Sequence, residues 1–341
     1  MTALCHIENM VEYFSTFPAG FEKVVGGLIK SILPTSRVIK SDGGAVHYAV
    51  NKPLDPTRLP FASNTFRVIK KFRDVADFGE MADGMAALSF TSAAARGSFR
   101  VRFSRESEFV GVSPHIMQTA ERAVIKSCGL RLDRNKPDTE FWFIIRRGGT
   151  AFFTELMKHG SADKPGKGEL RPELAYLLCV YAGIRRGDVV CDPFAGHGAV
   201  PKALTRFPCK KIYVSDNEPV LVTVMQKSSL KKDARVEITF RDAADLSHIG
   251  EKTVDRIITD PPWGFFGEIN DLADLYFRVF VEFRRILRDN GCIALLAGKP
   301  AESAEAAISA EFKLIDEFPV LVNGKKASVI MLNKLRPVIL Q

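Results

Sequence analysis

The stretch Val190-Cys191-Asp192-Pro193-Phe194-Ala195-Gly196-His197-Gly198 decides the fold of the C-terminal half. A short apolar run ends in an acid, breaks at a proline, and turns through two glycines into the helix-like segment Ala199–Phe207. Such a turn lets the backbone approach a ligand closely, and a helix N-terminus beside it favours a negative group. Two glycines alone would equally suit a tight structural turn. What lies outward from them carries the argument.

Outward in both directions from Leu170 on, short apolar runs alternate with amphipathic stretches. Asp188–Cys191, Lys211–Ser215, Arg235–Phe240, Asp255–Thr259 and Cys292–Ala297 read as buried strands. In Leu272–Leu287 the apolar residues Leu272, Leu275, Val279, Phe283 and Ile286 recur at helical spacing. Strand and helix in alternation predict an α/β domain, a mostly parallel sheet covered on both faces. Glu311–Lys334 breaks the rhythm with two extended runs around Asn323-Gly324, the signature of an antiparallel terminal hairpin. Ligands of such sheets sit at the carboxyl ends of the strands, so the loops there are the place to look for chemistry.

Three of those loops open on an acid. Asp192 ends the first strand, and Asp216 ends the second, 18 residues beyond Gly198. That spacing suits a carboxylate that takes ribose hydroxyls, in a nicotinamide enzyme as much as in any other. Asp242, followed by Ala243, ends the third and is suited to accept from an adenine amino group. Any one of these acids could be a helix cap; three in order are not explained that way.

The fourth strand runs into Asp260-Pro261-Pro262-Trp263-Gly264, the most specific motif in the chain. Two prolines stiffen the backbone and leave carbonyls free to accept from an amino group. The acid can take the amine's other hydrogen, and the indole offers a base a stacking surface, typically about 1–3 kcal/mol. An exocyclic amine is a poor nucleophile because its lone pair is delocalised into the ring. Accepting its hydrogens while holding the nitrogen in place relieves that, with no metal ion or covalent intermediate required.

From Leu170 onward the sequence resembles the class I amino-methyltransferases, whose mark is D/N-P-P-Y/F/W after the fourth strand. The resemblance implies a Rossmann-like domain that binds S-adenosyl-L-methionine through Asp192, Phe194, Gly196, Gly198, Asp216, Asp242 and Ala243. It implies catalysis on Asp260, Pro261, Pro262 and Trp263, with no metal site. His197 stands where related enzymes often carry Ser or Thr. It reads as a loop side chain, as do His159 and His248.

The likeness extends upstream. Thr16-Phe17-Pro18-Ala19-Gly20-Phe21-Glu22 and Gly43-Gly44-Ala45-Val46-His47-Tyr48 look like the α+β ferredoxin-like module of THUMP-containing methyltransferases. Ser98–Phe103 and Pro137–Phe143 look like the THUMP domain itself, and Gly168–Ala175 and Val320–Ala327 are typical of the same group. The expected division is a ferredoxin-like domain over 1–75, a THUMP RNA-binding domain over 76–160 and the methyltransferase domain over 161–341. The Gly/Pro-rich stretches Asn51–Pro56 and Ser161–Gly168 read as joints. Resemblance to that family, the tRNA guanine-N2 methyltransferases, implies tRNA as partner, guanine N2 as target near the acceptor end, and a flipped base. It leaves room for a small activating protein subunit. Guanine-N2 members usually carry Tyr or Phe where Trp263 stands, and D-P-P-W is common among adenine-N6 enzymes. Adenine N6 is therefore the alternative target. A catalytically silent RNA-binding scaffold is a further alternative, but it gives no reason to keep Asp216, Asp260 and the glycine loop. A protein-glutamine methyltransferase would leave the THUMP-like part unexplained.

Composition agrees with these expectations. With 46% hydrophobic and 26% charged residues, the chain can bury a sizeable core. The net charge of +8 and pI near 9.1 favour a polyanionic partner. Arg96–Arg171 holds 15 Lys/Arg against 9 Asp/Glu, so most of the excess falls in the THUMP-like part. Arg100, Arg102, Arg146, Arg147, Lys164 and Lys167 are its candidate RNA-binding residues. The six cysteines form no C-x-x-C pair, the start lacks a secretory signal, and no run reaches the roughly 18 apolar residues of a membrane span. A reduced, cytoplasmic protein is expected.

Overall fold

The first strand of the C-terminal sheet in chain order, β10 (Val189–Asp192), lies third of its seven strands, one residue shifted from the predicted run. The computed structural model describes residues 10–73, 75, 77–94, 96–147, 149–159, 168–264 and 272–335. Two compact units divide the chain. One holds residues 1–16 and 25–160, the other residues 17–24 and 161–341.

In the first unit the strands are β1 (Val11–Thr16), β2 (Arg37–Asp42), β3 (Ala45–Val50), β4 (Asn64–Phe72), β5 (Ser98–Arg105), β6 (Glu108–Phe109), β7 (Arg131–Leu132), β8 (Thr139–Arg146) and β9 (Thr150–His159). The helices are α1 (Glu22–Ile32), which belongs to this unit from Val25 on, α2 (Phe78–Ala86) and α3 (Pro114–Cys128). One sheet runs through it in the order β2-β3-β1-β4-β9-β8-β5-β6, with β7 paired to β5. Asn51–Pro56, expected as a joint between modules, instead opens the connection from β3 to β4, both of which pair with β1 in one sheet. Phe99, Phe103, Phe141, Phe143 and Phe153 alternate inward from the strands and pack with Met81, Met85 and Val124 of α2 and α3. Each such side chain contributes roughly 1.5–3 kcal/mol by leaving water. Asp77 starts α2 by accepting from the backbone N–H of Gly79 and Glu80, and Ser113 does the same for α3 at Ile116.

The second unit contains α4 (Pro172–Tyr181), β10, α5 (Ala199–Leu204), β11 (Lys211–Asp216), α6 (Pro219–Lys227), β12 (Val236–Phe240), β13 (Val254–Thr259), α7 (Leu272–Ile286), β14 (Leu287–Ala297), α8 (Pro300–Ser309), β15 (Phe312–Val322) and β16 (Lys325–Lys334). Its sheet order is β12-β11-β10-β13-β14-β16-β15. The first five strands are parallel, and β16 enters antiparallel between β14 and β15. The alternation therefore yields the Rossmann-like sheet, and Asn323-Gly324 makes the expected two-residue hairpin, with Val322 opposite Lys325. Both turn residues have positive φ, 51° and 81°, as a type I′ turn requires. Tyr276, Val279, Phe280, Phe283 and Ile286 of α7 pack onto Ile257, Ile293 and Leu295 of the sheet. Cys179, Cys191, Cys209 and Cys292 are buried free thiols, which burial pushes above the ordinary thiol range. Among the described residues no helix is long and apolar enough to cross a membrane.

Candidate active site

Strand order reverses between β10 and β13, so the loops that leave these neighbours diverge and open a crevice at their carboxyl ends. Asp192 and the glycine turn leave β10; Asp260-Pro261-Pro262-Trp263 leaves β13. The two motifs, some 60 residues apart in sequence, meet here.

Asp192 is 1% exposed and accepts from Thr259 Oγ1 at 2.7 Å and from the Phe194 N–H at 3.3 Å. Burial pushes its carboxyl up to about 8; the hydrogen bonds oppose that, and the negative charges of Asp216 and Asp260 add to it. It is the fastener at the floor of the crevice. Phe194, half-buried, packs its ring on the core beneath.

The glycine turn is stitched to β11. Ala195 N–H donates to the Ser215 carbonyl at 3.0 Å, and Gly196 N–H donates to Asp216 Oδ2 at 2.8 Å. The other carboxylate oxygen of Asp216 accepts from Glu218 N–H at 2.9 Å. Gly196 sits at φ 54°, and a Cβ there would meet nothing within 4 Å. Gly198, at φ 82°, is different: a Cβ would crowd Leu230 and Met225. Thus Gly196 leaves open space beside Asp216, and Gly198 allows close packing of the turn. α5 that follows has only six residues, shorter than the segment predicted to Phe207.

Asp242 is exposed, with Oδ1 accepting from Ala244 N–H at 2.9 Å, while Ala243 is buried. Arg241 N–H donates to the Asp216 carbonyl at 3.1 Å and holds this turn beside the preceding strand end. An acid tethered by backbone N–H groups, a second acid open to solvent and a glycine turn that leaves room beside them form a donor and acceptor set that fits a nucleoside cofactor.

On the facing loop, Trp263 Nε1–H donates to Asp260 Oδ1 at 2.8 Å. Burial pushes the Asp260 carboxyl up to about 7, and the indole hydrogen bond works against the rise. Tyr276 of α7, 1% exposed, donates its hydroxyl to the Pro262 carbonyl at 2.7 Å. The motif by itself leaves both proline carbonyls free; in the fold Tyr276 occupies an acceptor position on one of them. Tyr276, Thr259 and Gly298 were absent from the sequence-predicted site. Tyr276 lies on the apolar face of α7 and reads as core, and Gly298 reads as an ordinary turn after β14. Their one sequence signal is position, at or just past strand ends and on the helix that follows the motif.

Among the described residues His197 offers its carbonyl to Lys202 Nζ at 3.2 Å. His248 lies 3.4 Å from Thr239 Oγ1 with Nδ1 buried and, among the described residues, without a partner, and burial lowers its pKa. Neither has the setting of a general base.

In the first unit the candidate RNA-binding arginines are largely committed to pairing. Parallel register sets Arg100 of β5 opposite Glu140 of β8. Arg100 donates to Glu140 through Nε at 2.9 Å and through Nη2, Arg102 Nε donates at 3.0 Å, and Trp142 Nε1 at 2.8 Å. Arg146 spans Ser107 and the Gly43 carbonyl, joining two turns. Arg147 is 92% exposed, 3.6 Å from Glu106. Lys164 and Lys167 lie outside the described residues.

Residues 161–327 match the UPF0020 family, the RMKL-like methyltransferase domain. The chain is 29% identical over 266 residues to the tRNA (guanine(6)-N2)-methyltransferase of Thermus thermophilus, covering 75% of this chain and 78% of that protein. It is 23% identical over 251 residues to the tRNA (guanine(10)-N2)-dimethyltransferase of Methanothermobacter thermautotrophicus, covering 69% and 72%. The crystal structure of TrmN from Thermus thermophilus superposes with a TM-score of 0.79 at 22% identity, over 95% of this chain and all of that one. The two proteins share one fold from end to end.

Proposed function

We propose that this protein is a tRNA (guanine-N2-)-methyltransferase that uses S-adenosyl-L-methionine and acts on a guanosine in the acceptor-stem region. The observation that carries the proposal is the meeting of Asp260-Pro261-Pro262-Trp263 with the Asp192, Gly196 and Asp216 cradle at one switch point. Similarity to two tRNA guanine-N2 enzymes supports the substrate. The bound cofactor supplies an electrophilic methyl group on a sulfonium. Asp216 holds ribose hydroxyls with the lone pairs its two backbone bonds leave over, and Asp242 and Ala243 border the adenine. Asp260, as carboxylate, accepts one hydrogen of the target amine, raises the electron density on nitrogen and takes up the positive charge that develops there. Pro261 and Pro262 keep that carboxylate fixed, so little reorganisation is needed as the nitrogen reacts.

Residues 1–75 serve as a ferredoxin-like domain and 76–160 as a THUMP domain, and together they recognise tRNA. The basic excess of Arg96–Arg171 supports a part in phosphate binding for Arg146 and Arg147, with Lys164 and Lys167 proposed from the sequence alone. Arg100 and Arg102 contribute to it only through the 24% and 30% of their side chains left exposed by Glu140. A small activating subunit and a cytoplasmic location complete the proposal.

Mass spectrometry of nucleosides from tRNA treated with the protein and labelled cofactor tests it. N2-methylguanosine or its dimethyl form is expected. N6-methyladenosine, the product favoured by the tryptophan in D-P-P-W, would transfer the same mechanism to adenine. A methyl on a ring carbon would overturn the amine reading.

A further inference from the structure

Within the Asp-Pro-Pro-Trp loop, Trp263 gives its indole N–H to Asp260 Oδ1. Two residues from separate elements converge on that loop: Tyr276 of α7 gives its hydroxyl to the Pro262 carbonyl, and Gly298, the residue after β14, lies against Trp263. A Cβ on Gly298 would fall inside the van der Waals envelope of Trp263 Cγ, Cδ2 and Cε3. The indole thus lies directly on the backbone that leaves β14. Cγ is held one bond from the Trp263 Cβ, so the ring cannot swing clear without a new rotamer, and a new rotamer would carry Nε1 away from Asp260. Gly291 and Gly298 are both tight, but Gly291 is crowded by Leu287 and the Asp255 carbonyl, core atoms remote from the loop.

We infer that Gly298 and Tyr276 are positioning residues for methyl transfer: Gly298 seats the Trp263 indole so that its N–H orients Asp260, and Tyr276 fixes the second proline. This rests on the function proposed above. It changes the part played by Trp263, whose N–H works on the acid whatever its ring does for a base. The indole hydrogen bond stabilises the carboxylate, the form that accepts from an amine. Among the described residues, the charged and titratable groups around this loop are Asp192 at the end of β10, Tyr276 of α7, and Lys299 with Glu302 at the start of α8. None of them donates to Asp260 in place of Trp263 among the described hydrogen bonds.

The test uses full-length protein. The chain has two tryptophans, so 5-fluorotryptophan labelling gives two fluorine resonances, assigned with Trp263→Phe. The Trp263 resonance should titrate with a midpoint near 7, and Asp260→Asn should abolish that step. Gly298→Ala should displace the resonance and remove the titration, with kcat down roughly 10- to 100-fold, KM for tRNA and the affinity for S-adenosylhomocysteine nearly unchanged. Tyr276→Phe, which keeps the ring, should fold normally and lower kcat by roughly tenfold without a matching change in KM. If Gly298→Ala lowers thermal stability, Trp263→Phe and Tyr276→Phe carry the test: the first should move the acid limb of the kcat profile to higher pH. Wild-type titration and kcat in Gly298→Ala, or a normal kcat in Tyr276→Phe, would overturn the inference for that residue. The fluorine titration needs no RNA. An intact titration in a protein that methylates no amine would sink the proposed function and leave the indole–carboxylate coupling standing.

Discussion

Thr259, the last residue of β13, donates its hydroxyl to Asp192, the last residue of β10, at 2.7 Å with both side chains buried. One hydrogen bond thus ties the strand that precedes the glycine turn to the strand that precedes Asp260-Pro261-Pro262-Trp263. Asp192 holds its proton up to about pH 8, whereas an unfolded aspartate gives it up near 4. Between these values the native state binds more protons than the unfolded one, so stability falls as pH rises through that window. Asp192→Asn keeps an oxygen for Thr259 and carries no charge. Its unfolding free energy should decline less between pH 5 and 9 than that of the wild type, by on the order of a few kcal/mol, seen as a smaller fall in melting temperature. Parallel declines in the two proteins would show that Asp192 does not hold the proton.

Asp216 accepts from Gly196 and Glu218 and leaves lone pairs toward the cradle. Asp216→Ala should weaken S-adenosylhomocysteine binding roughly tenfold or more, through loss of charged hydrogen bonds of about 1.5–3 kcal/mol. Calorimetry on a variant with native melting behaviour checks this. Unchanged affinity would remove Asp216 from the cofactor site.

Asp260→Ala should lower the single-turnover rate by about 100- to 1000-fold at saturating cofactor and tRNA, because its interaction grows as the nitrogen reacts. In the wild type the rate should fall as pH drops below about 7, where burial makes the carboxylate take up a proton. A rate level from pH 6 to 8, with chemistry limiting, would contradict a carboxylate acceptor.

Arg100 and Arg147 should separate cleanly. Glu140 is buried, which by itself would raise its pKa, but the hydrogen bonds and charges of Arg100, Trp142 and Arg102 outweigh burial and hold it low. Arg100→Ala strips two of its hydrogen bonds and should destabilise the first unit by roughly 3 kcal/mol. That loss should shrink as pH falls below the ordinary carboxylate range. Arg147→Ala should leave stability unchanged, weaken tRNA binding and reduce its salt slope by about one. Equal binding losses with equal stability would mean that Glu140 does not hold Arg100.

Local chemistry wrote much of this protein into its sequence. Apolar runs of period two and 3.6, acids at the ends of strands and Asn323-Gly324 between two extended runs depend on neighbours a few residues away. In the C-terminal half they were enough for the strands to within a residue or so, save β14, which begins five residues before the predicted Cys292, for the parallel sheet with its terminal hairpin, and for the loops that form the crevice. The settings of the side chains depended on partners far along the chain, and only tertiary structure decided those. Register between β5 and β8 paired Arg100 with Glu140, 40 residues away, so a cation that reads as free is spoken for. The β10–β13 pairing buried Asp192 against Thr259 and turned an apparent ligand acid into a proton-bearing fastener. The packing of α7 and the exit of β14 onto one loop gave Tyr276 and Gly298 their places. A hydrogen bond fixes distance and angle to within tenths of an ångström, and spacing along a chain carries no such information until the sheet sets it.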